Sequence, residues 1–170
     1  MSFVLKKRVI FSEMVKEGSL YQSLQAHSLP NRAGIILVSK GKVLLIRRQK
    51  TGKEYWTIPG GKIEEGESCF SAACREIFEE LAISQENIHF IDSFDIVNMG
   101  RKETYFIGEI AYPIEVCIHG EELIRSNSDN IYTPEWIDIA IIKSIKLYPL
   151  EVKEKIRCIR DSEKLLYNVQ

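Results

Sequence analysis

Apolar residues recur along the chain at two spacings, which predict a mixture of strands and helices. Alternating or continuous β-rich runs predict strands, and apolar positions three or four residues apart predict helices. The predicted strands are 34–39 and 42–48, which form a hairpin around 39–42, then 56–61, 88–97, 104–112, 115–119 and 135–139. Helices are predicted over 68–81 and from Pro149 onward, where Val152, Ile156 and Ile159 share one face. The polar stretches 49–53 and 120–133 predict loops.

The N-terminal stretch differs from the remainder of the chain. Residues 1–31 mix charged and apolar positions, 11–25 have a weak helical pattern, and Leu29-Pro30-Asn31 marks a boundary. No repeat or linker divides 32–170. We therefore expect an N-terminal extension, 1–31, packed on one α/β domain, 32–170, in which helices cover a sheet.

Composition narrows the functional class. The 170 residues carry 23 Lys and Arg against 24 Asp and Glu, so a net charge of -1 gives no general case for binding duplex nucleic acid or an anionic membrane. No apolar run is long enough to span a bilayer, and the first residues do not resemble a signal peptide. The four cysteines and three histidines are scattered, which disfavours a zinc site and fits a cytoplasmic protein.

The helix predicted over 68–81 separates its residues by chemistry, with Ser68 as its expected N-cap. One arc of about 140° holds three carboxylates and a guanidinium, namely Glu76, Glu79, Glu80 and Arg75. The other arc predicts the core face and consists of Phe70, Cys74, Ile77, Phe78 and Leu81.

A set of acids on one helix face is often a solvated surface, but this set also suits a metal ion. Like charges such as Glu76 and Glu80 at i,i+4 repel each other, and Arg75 cannot neutralise three acids. A divalent cation can neutralise them together with Arg75. Oxygen ligands without His or Cys favour Mg²⁺ or Mn²⁺, and magnesium usually completes its coordination with substrate phosphate.

The spacing around this face is specific. From Gly61, five residues lead to Glu67, seven more lead to Arg75-Glu76, and Glu79-Glu80 and Ala82-Ile83 complete the pattern. It resembles the Nudix box of MutT-like proteins, G-x5-E-x7-R-E-U-x-E-E-x-G-U, where U is a bulky apolar residue. Ala82 replaces the glycine of the box, which would cost around 1 kcal/mol if its φ is positive. The hairpin, the approach 56–61 and Glu135-Trp136 extend the resemblance to about 32–140.

The resemblance implies a fold, an activity and a set of site residues. The fold would be an α/β/α sandwich around a mixed sheet. The reaction would be attack of water on a phosphorus of a nucleoside diphosphate linked to another moiety. The residues matching the metal ligands are the Gly60 carbonyl, Glu76, Glu79 and Glu80. Arg75 would orient the acids with support from Glu67, and Glu76, or Glu79 through a water, would accept the proton.

Further residues are candidates for substrate binding. Family members often place another acid on a later loop, and here the candidates are Glu121, Glu122 and Asp129. Arg47 and Arg48 end an apolar strand, where neighbouring side chains face opposite ways, so we expect one of them at the site. Aromatic candidates for stacking on a base are Tyr55, Phe106, Tyr132 and Trp136, with a place in the core as the alternative. Arg101-Lys102 predicts a polar hairpin tip.

The nucleotide substrate is chosen by elimination. Residues 96–100 carry neither the proline often found in ADP-ribose hydrolases nor the tyrosine often found in dinucleoside polyphosphate hydrolases. A (deoxy)nucleoside triphosphate is therefore the default. The alternatives are ADP-ribose, a nucleotide sugar, a dinucleoside polyphosphate, or an inactive nucleotide-binding sensor of the same fold. A homodimer is compatible with a domain of this size.

Overall fold

The computed structural model describes residues 29–167, with side chains through residue 159. The helix predicted over 11–25, and the extension 1–31 apart from its last three residues, lie outside the described part. Eight strands form one mixed sheet: β1 (Arg32–Ser39), β2 (Lys42–Lys50), β3 (Lys53–Thr57), β4 (Gly60–Lys62), β5 (His89–Asn98), β6 (Arg101–Glu109), β7 (Asn130–Asp138) and β8 (Leu147–Tyr148). The helices are α1 (Cys69–Leu81), α2 (Gly120–Arg125) and α3 (Leu150–Tyr167), with 3₁₀ helices at Gln85–Asn87 and Ile139–Ser144.

The sheet is curled, with two strands branching from its main path. That path runs β5-β6-β1-β2-β3-β8, while β4 pairs with β1 and β7 pairs with β2. The β1–β6 and β3–β8 pairs are parallel and the remaining pairs are antiparallel. Because β4 lies beside the first residues of β1, the glycines that follow Pro59 enter the sheet next to the C-terminal half of α1.

Alternation along β1 separates two cores. Ile35 and Leu37 face one layer with α1, whereas Ile36 and Val38 face the other, where Val152 and Ile156 of α3 pack. Helices thus cover both faces of the mixed sheet, which confirms the predicted α/β/α sandwich. In the described residues, no helix is long and apolar enough to cross a membrane.

Both ends of α1 follow from local chemistry. Ser68 is the N-cap, as predicted, and its Oγ accepts a hydrogen bond of 3.0 Å from the N–H of Ser71. Ala82 ends the helix with φ 55° and ψ 29°, and its N–H donates to the carbonyl of Phe78 at 2.8 Å. A left-handed residue satisfies a terminal carbonyl but strains a side chain with a Cβ, so the expected cost at Ala82 is present.

The core face of α1 is rotated from its prediction. Phe78, predicted to be in the core, is 58% exposed, while Glu80, predicted on the polar arc, is 6% exposed. Ala72 and Ala73 are fully buried. Small residues allow the helix to approach the sheet closely, so the buried face centres between Ala73 and Ile77 and includes Glu80.

Three local predictions are corrected. Residues 49–53 do not form a loop, because β2 and β3 meet at a tight turn in which Thr51 and Gly52 have positive φ. Residues 115–119 are not a strand: Val116 and Ile118 pack on the core beside α1 without joining the sheet. The stretch 120–133 is not a loop throughout, since it contains α2 and the first half of β7.

Candidate active site

An open cleft of about 1030 Å³ lies beside the polar face of α1. Its floor contains β4 and the start of β1, and its walls come from the end of β2, the start of β7, α2, and the part of the β5–β6 hairpin next to its turn. The chain contributes to it from positions far apart in sequence because β4 branches from the sheet next to β1.

Arg75 connects Glu76 and Glu79, which line the cleft, with Glu67 at its edge. Its guanidinium donates to Glu67 through Nε and Nη2, each at 3.0 Å, to Glu76 at 2.9 Å and to Glu79 at 3.1 Å. Nη2 also donates to the carbonyl of Lys62 at 3.1 Å. Hydrogen bonding to Glu67 is the largest cause that raises the pKa of Arg75, and Arg75 in turn lowers the pKa of Glu67. Arg75 therefore fixes the positions of Glu76 and Glu79 relative to β4.

Glu80 is buried, and few neighbouring groups stabilise the negative charge of its ionised carboxyl group. Its Oε2 accepts a hydrogen bond of 2.8 Å from the N–H of Gly60. Burial, with smaller contributions from the charges of Glu122 and Glu76, raises the pKa of Glu80 to about 8 against the opposing effects of Arg32 and the Gly60 hydrogen bond. The site thus holds a carboxyl group whose ionisation at neutral pH needs additional positive charge.

Glycine at position 61 makes room for the neighbouring acid. A Cβ on Gly61 would lie 2.3 Å from the carboxyl carbon of Glu76. Burial raises the pKa of Glu76, although Arg75 opposes the shift. Glu76 therefore packs against the backbone of β4, and no larger residue fits at position 61 without displacing it.

The acids are near one another but do not converge. In the part of the chain that the structure describes, no group of three or more His, Cys, Asp or Glu side chains is already arranged to hold a metal ion. The reason is visible in their contacts: Arg75 holds Glu76 and Glu79, while Glu80 turns to Gly60. The donor set nevertheless fits a hard cation, because two desolvated carboxylates with raised pKa values share one cleft.

The predicted substrate-binding residues divide into two groups. Arg48, Glu121 and Glu122 line the cleft. Arg47 lies outside it, within 3.6 Å of Glu54 and 3.5 Å of Glu135, and Asp129 lines a separate small hollow by the β2–β3 turn. The structure therefore brings one of the two neighbouring arginines to the cleft, as strand alternation requires.

Close packing of α2 on α1 explains how Glu121 and Glu122 reach the cleft. The N–H of His119 donates to the carbonyl of Glu80 at 2.7 Å. Gly120 has φ +61°, and a Cβ there would lie 2.8 Å from the carbonyl oxygen of Glu79. Glycine at this position lets the chain turn against α1 and start α2 beside the acids.

Among the aromatic candidates, Tyr132 is the one that lines the cleft. The guanidinium of Arg48 lies 4.7 Å from the centre of the Tyr132 ring, and its Nε donates to Asn130 at 3.2 Å. Phe106 packs against Phe70 at 5.2 Å, and Trp136 packs on the core beside α1. Phe106 and Trp136 therefore pack on the core and do not line the cleft.

Sequence reasoning missed several residues of the cleft. The sequence pattern does not indicate Arg32 and predicts Arg101 at a hairpin tip, yet both residues line the cleft. The tip of the hairpin is Met99-Gly100, where φ is positive, and Lys102 pairs with Asp95 at 2.8 Å.

Glu103 is the third missed residue, and it is 1% exposed. Its carboxylate accepts hydrogen bonds from Arg101 and Tyr105, each at 2.6 Å, and from Asn98 at 3.0 Å. Burial opposes ionisation, but these donors hold the pKa of Glu103 below its usual value. In the sequence Glu103 is the last of three consecutive charged residues, directly before the β-rich run 104–107, so no local pattern indicates its burial.

Comparisons with known proteins identify related sequences and a shared fold. Phosphatase NudJ of Escherichia coli strain K12 is 38% identical over 132 residues, covering 76% of this chain and 82% of that protein. A crystal structure of a C. elegans Ap4A hydrolase binary complex matches with a TM-score of 0.62 at 19% identity, covering 78% of this chain and 98% of that one. The structure of the E. coli dihydroneopterin triphosphate pyrophosphohydrolase matches with a TM-score of 0.56 at 17% identity, covering 76% of this chain and 93% of that one.

The sequence model of the NUDIX domain matches residues 28–156, which include every strand of the sheet, helix α1 and its acidic face. On this match, on the similarity to NudJ and on the sandwich fold, the chain belongs to the NUDIX domain family.

Proposed function

We propose that this protein is a divalent-metal-dependent pyrophosphohydrolase that cleaves a nucleoside diphosphate linked to another moiety. The observation that supports this most is the pair of desolvated carboxylates, Glu76 and Glu80, beside the glycines of β4. Membership of the NUDIX domain family and the similarity to a phosphatase agree with hydrolysis at phosphorus.

Mg²⁺ or Mn²⁺ is the proposed cofactor. Glu76, Glu79, Glu80 and the Gly60 carbonyl would hold it. When bound, such an ion lowers the pKa of a coordinated water and offsets negative charge on phosphate. The buried acids fit this assignment because a cation supplies the charge that ionised Glu80 lacks in the protein alone.

The remaining polar residues have distinct proposed roles. Arg75 holds Glu76 and Glu79 in place through hydrogen bonds of 2.9 and 3.1 Å, and Glu67 holds Arg75. The side chain of Glu79 is 55% exposed against 16% for Glu76, so Glu79 is the acid more accessible to water in the cleft. We propose that Glu79 accepts the proton from the attacking water, with Glu76 closer to the metal position.

The far wall of the cleft suits the remainder of a nucleotide. Arg48 carries a guanidinium that has no carboxylate within ion-pair distance among the described residues, and it stacks on Tyr132. A guanidinium binds phosphate through paired N–H donors, and an aromatic ring offers a surface for a base. A (deoxy)nucleoside triphosphate remains the proposed substrate, with ADP-ribose, a nucleotide sugar and a dinucleoside polyphosphate as the alternatives.

A catalytically inactive nucleotide sensor is the competing function. Ala82, strained at the end of α1, favours it slightly. The complete network of Arg75 with Glu67, Glu76 and Glu79 favours catalysis, because a binding module does not need all of these groups. We further propose that the protein acts in the cytoplasm, since Cys69, Cys74 and Cys117 form no disulfide.

The test is hydrolysis across a panel of dNTPs, NTPs, ADP-ribose, nucleotide sugars and dinucleoside polyphosphates. Each is incubated with Mg²⁺, with Mn²⁺ and with chelator. Turnover of one class that stops with chelator supports the proposal and names the substrate. Nucleotide binding without turnover of any compound contradicts it and favours the sensor.

A further inference from the structure

Arg32, the first residue of β1, lies on the floor of the cleft. It is opposite Glu103 of β6 on one side and Lys62 of β4 on the other. Its Nη2 donates a hydrogen bond of 2.9 Å to the carbonyl of Ile58. This bond fixes the guanidinium at the edge of β4, next to the residues that carry the acidic cluster.

Arg32 is close to several acids without being paired to any of them. Its charge lowers the pKa values of Glu76 and Glu80, which places it within electrostatic reach of both. Among the described residues, however, no carboxylate lies within ion-pair distance of Arg32.

The nearest acid along the sheet is already satisfied by other groups. Glu103 receives its hydrogen bonds from Arg101, Tyr105 and Asn98. Arg32 is not among these donors, although it lies opposite Glu103 in the sheet. A partly buried cation with spare N–H donors thus faces the cleft beside the proposed metal position.

We propose that Arg32 binds a phosphate group of the substrate next to the one at the metal position. A guanidinium has five N–H donors and matches the oxygens of phosphate, and the hydrogen bond to Ile58 together with a side-chain interaction with Tyr105 leaves donors available. The inference rests on the proposed function, since it needs a pyrophosphate-containing substrate in the same cleft. It adds a phosphate-binding residue at a position that the acidic motif does not include.

The positive charge of Arg32 should affect metal binding and phosphate binding in opposite directions. A fixed cation beside Glu76 and Glu80 repels a divalent metal ion but attracts a phosphate. Removing the charge should therefore strengthen metal binding and weaken phosphate binding. A purely structural role, in which Arg32 only anchors the Ile58 carbonyl, predicts that both affinities weaken together because the floor of the cleft moves.

The experiment measures two affinities in the full chain by calorimetry. The first is for Mn²⁺ alone, and the second is for imidodiphosphate, a non-hydrolysable pyrophosphate analogue, at saturating Mn²⁺. Arg32→Met should bind Mn²⁺ several-fold more tightly and imidodiphosphate about ten- to a hundredfold more weakly, as expected for loss of a charge-assisted hydrogen bond. Arg32→Lys keeps the charge without the fork, so its Mn²⁺ affinity should match wild type while imidodiphosphate binding falls less than in Arg32→Met.

Arg157→Met is the matched control, because Arg157 contacts Glu154 on α3, away from the cleft. It should leave both affinities at wild-type values. Unchanged imidodiphosphate binding in Arg32→Met, or parallel weakening of both ligands, overturns the inference. Equal binding of imidodiphosphate by wild type with and without Mn²⁺ contradicts instead the proposed metal dependence, so the two failures are distinguishable. If Arg32→Met does not fold, the test uses Arg32→Lys. Unchanged imidodiphosphate binding in that variant, or parallel weakening of both ligands, then overturns the inference.

Discussion

Replacing Glu80 by glutamine should remove a loss of folding stability that wild type shows at high pH in the absence of metal. The pKa of Glu80 is raised from 4.5 to about 8, so the folded state binds this proton more tightly than the unfolded state. Stability is therefore lost as pH rises between these two values. At about 1.4 kcal/mol per pH unit, the full displacement corresponds to an upper limit on the order of 5 kcal/mol.

Glutamine removes the ionisable group of Glu80 and keeps nearly the same side-chain shape. Its carbonyl oxygen can accept the hydrogen bond that Oε2 of Glu80 accepts from Gly60. In chelator at pH 9, Glu80→Gln should be about 2–5 kcal/mol more stable than wild type, and at pH 4.5 the two should agree within about 1 kcal/mol. The variant should also lose the stabilisation that Mn²⁺ gives to wild type at pH 8.

Urea unfolding followed by the fluorescence of Trp56 and Trp136 measures the difference from pH 4.5 to 9. Glu65→Gln is the matched control, because Glu65 is an exposed acid on the loop before α1, outside the cleft. It should follow the wild-type curve. If Glu80→Gln shows the same pH dependence as wild type, the reasoning about its burial is refuted.

Three further substitutions test separate parts of the account. Ala82→Gly should raise the free energy of unfolding by about 0.5–1 kcal/mol, measured in urea, because glycine relieves the positive φ; a loss of stability would contradict the strain assigned there. Gly61→Ala should lower turnover at least tenfold in steady-state assays, since its Cβ would displace Glu76; wild-type turnover would show that Glu76 has room to move. Asp129→Asn should leave kcat and KM unchanged, because Asp129 lies outside the cleft, and a large change in either would return it to the site.

Much of the fold was predictable because local patterns and the tertiary structure agree. The hairpin around 39–42, helix α1 with its Ser68 cap, and the apolar face of α3 each follow from residues close together in sequence. The sequence did not predict where polar stretches join the sheet. The strands on either side of Thr51-Gly52 are polar at the surface. Pairing of β2 with β7 and of β3 with β2 and β8, rather than hydrophobic alternation, keeps them extended.

The candidate site was predictable as a motif but not as a three-dimensional arrangement. The spacing of Arg75, Glu76, Glu79 and Glu80 was sufficient to select one face of one helix. Burial of Glu80 depends on β4 and α2 covering that face, which no local pattern encodes. The same limit applies to Arg32, which reaches the cleft because β4 pairs with β1.

The most direct test of the central claim compares turnover in two variants of the acidic face. Glu79→Gln and Glu80→Gln are assayed with saturating Mg²⁺ on whichever substrate the panel identifies, beside wild type and Glu65→Gln. The account predicts that both variants stay folded and lose nearly all turnover, while Glu65→Gln retains it. Unchanged turnover in Glu79→Gln and Glu80→Gln would contradict the claim that these carboxylates carry the reaction.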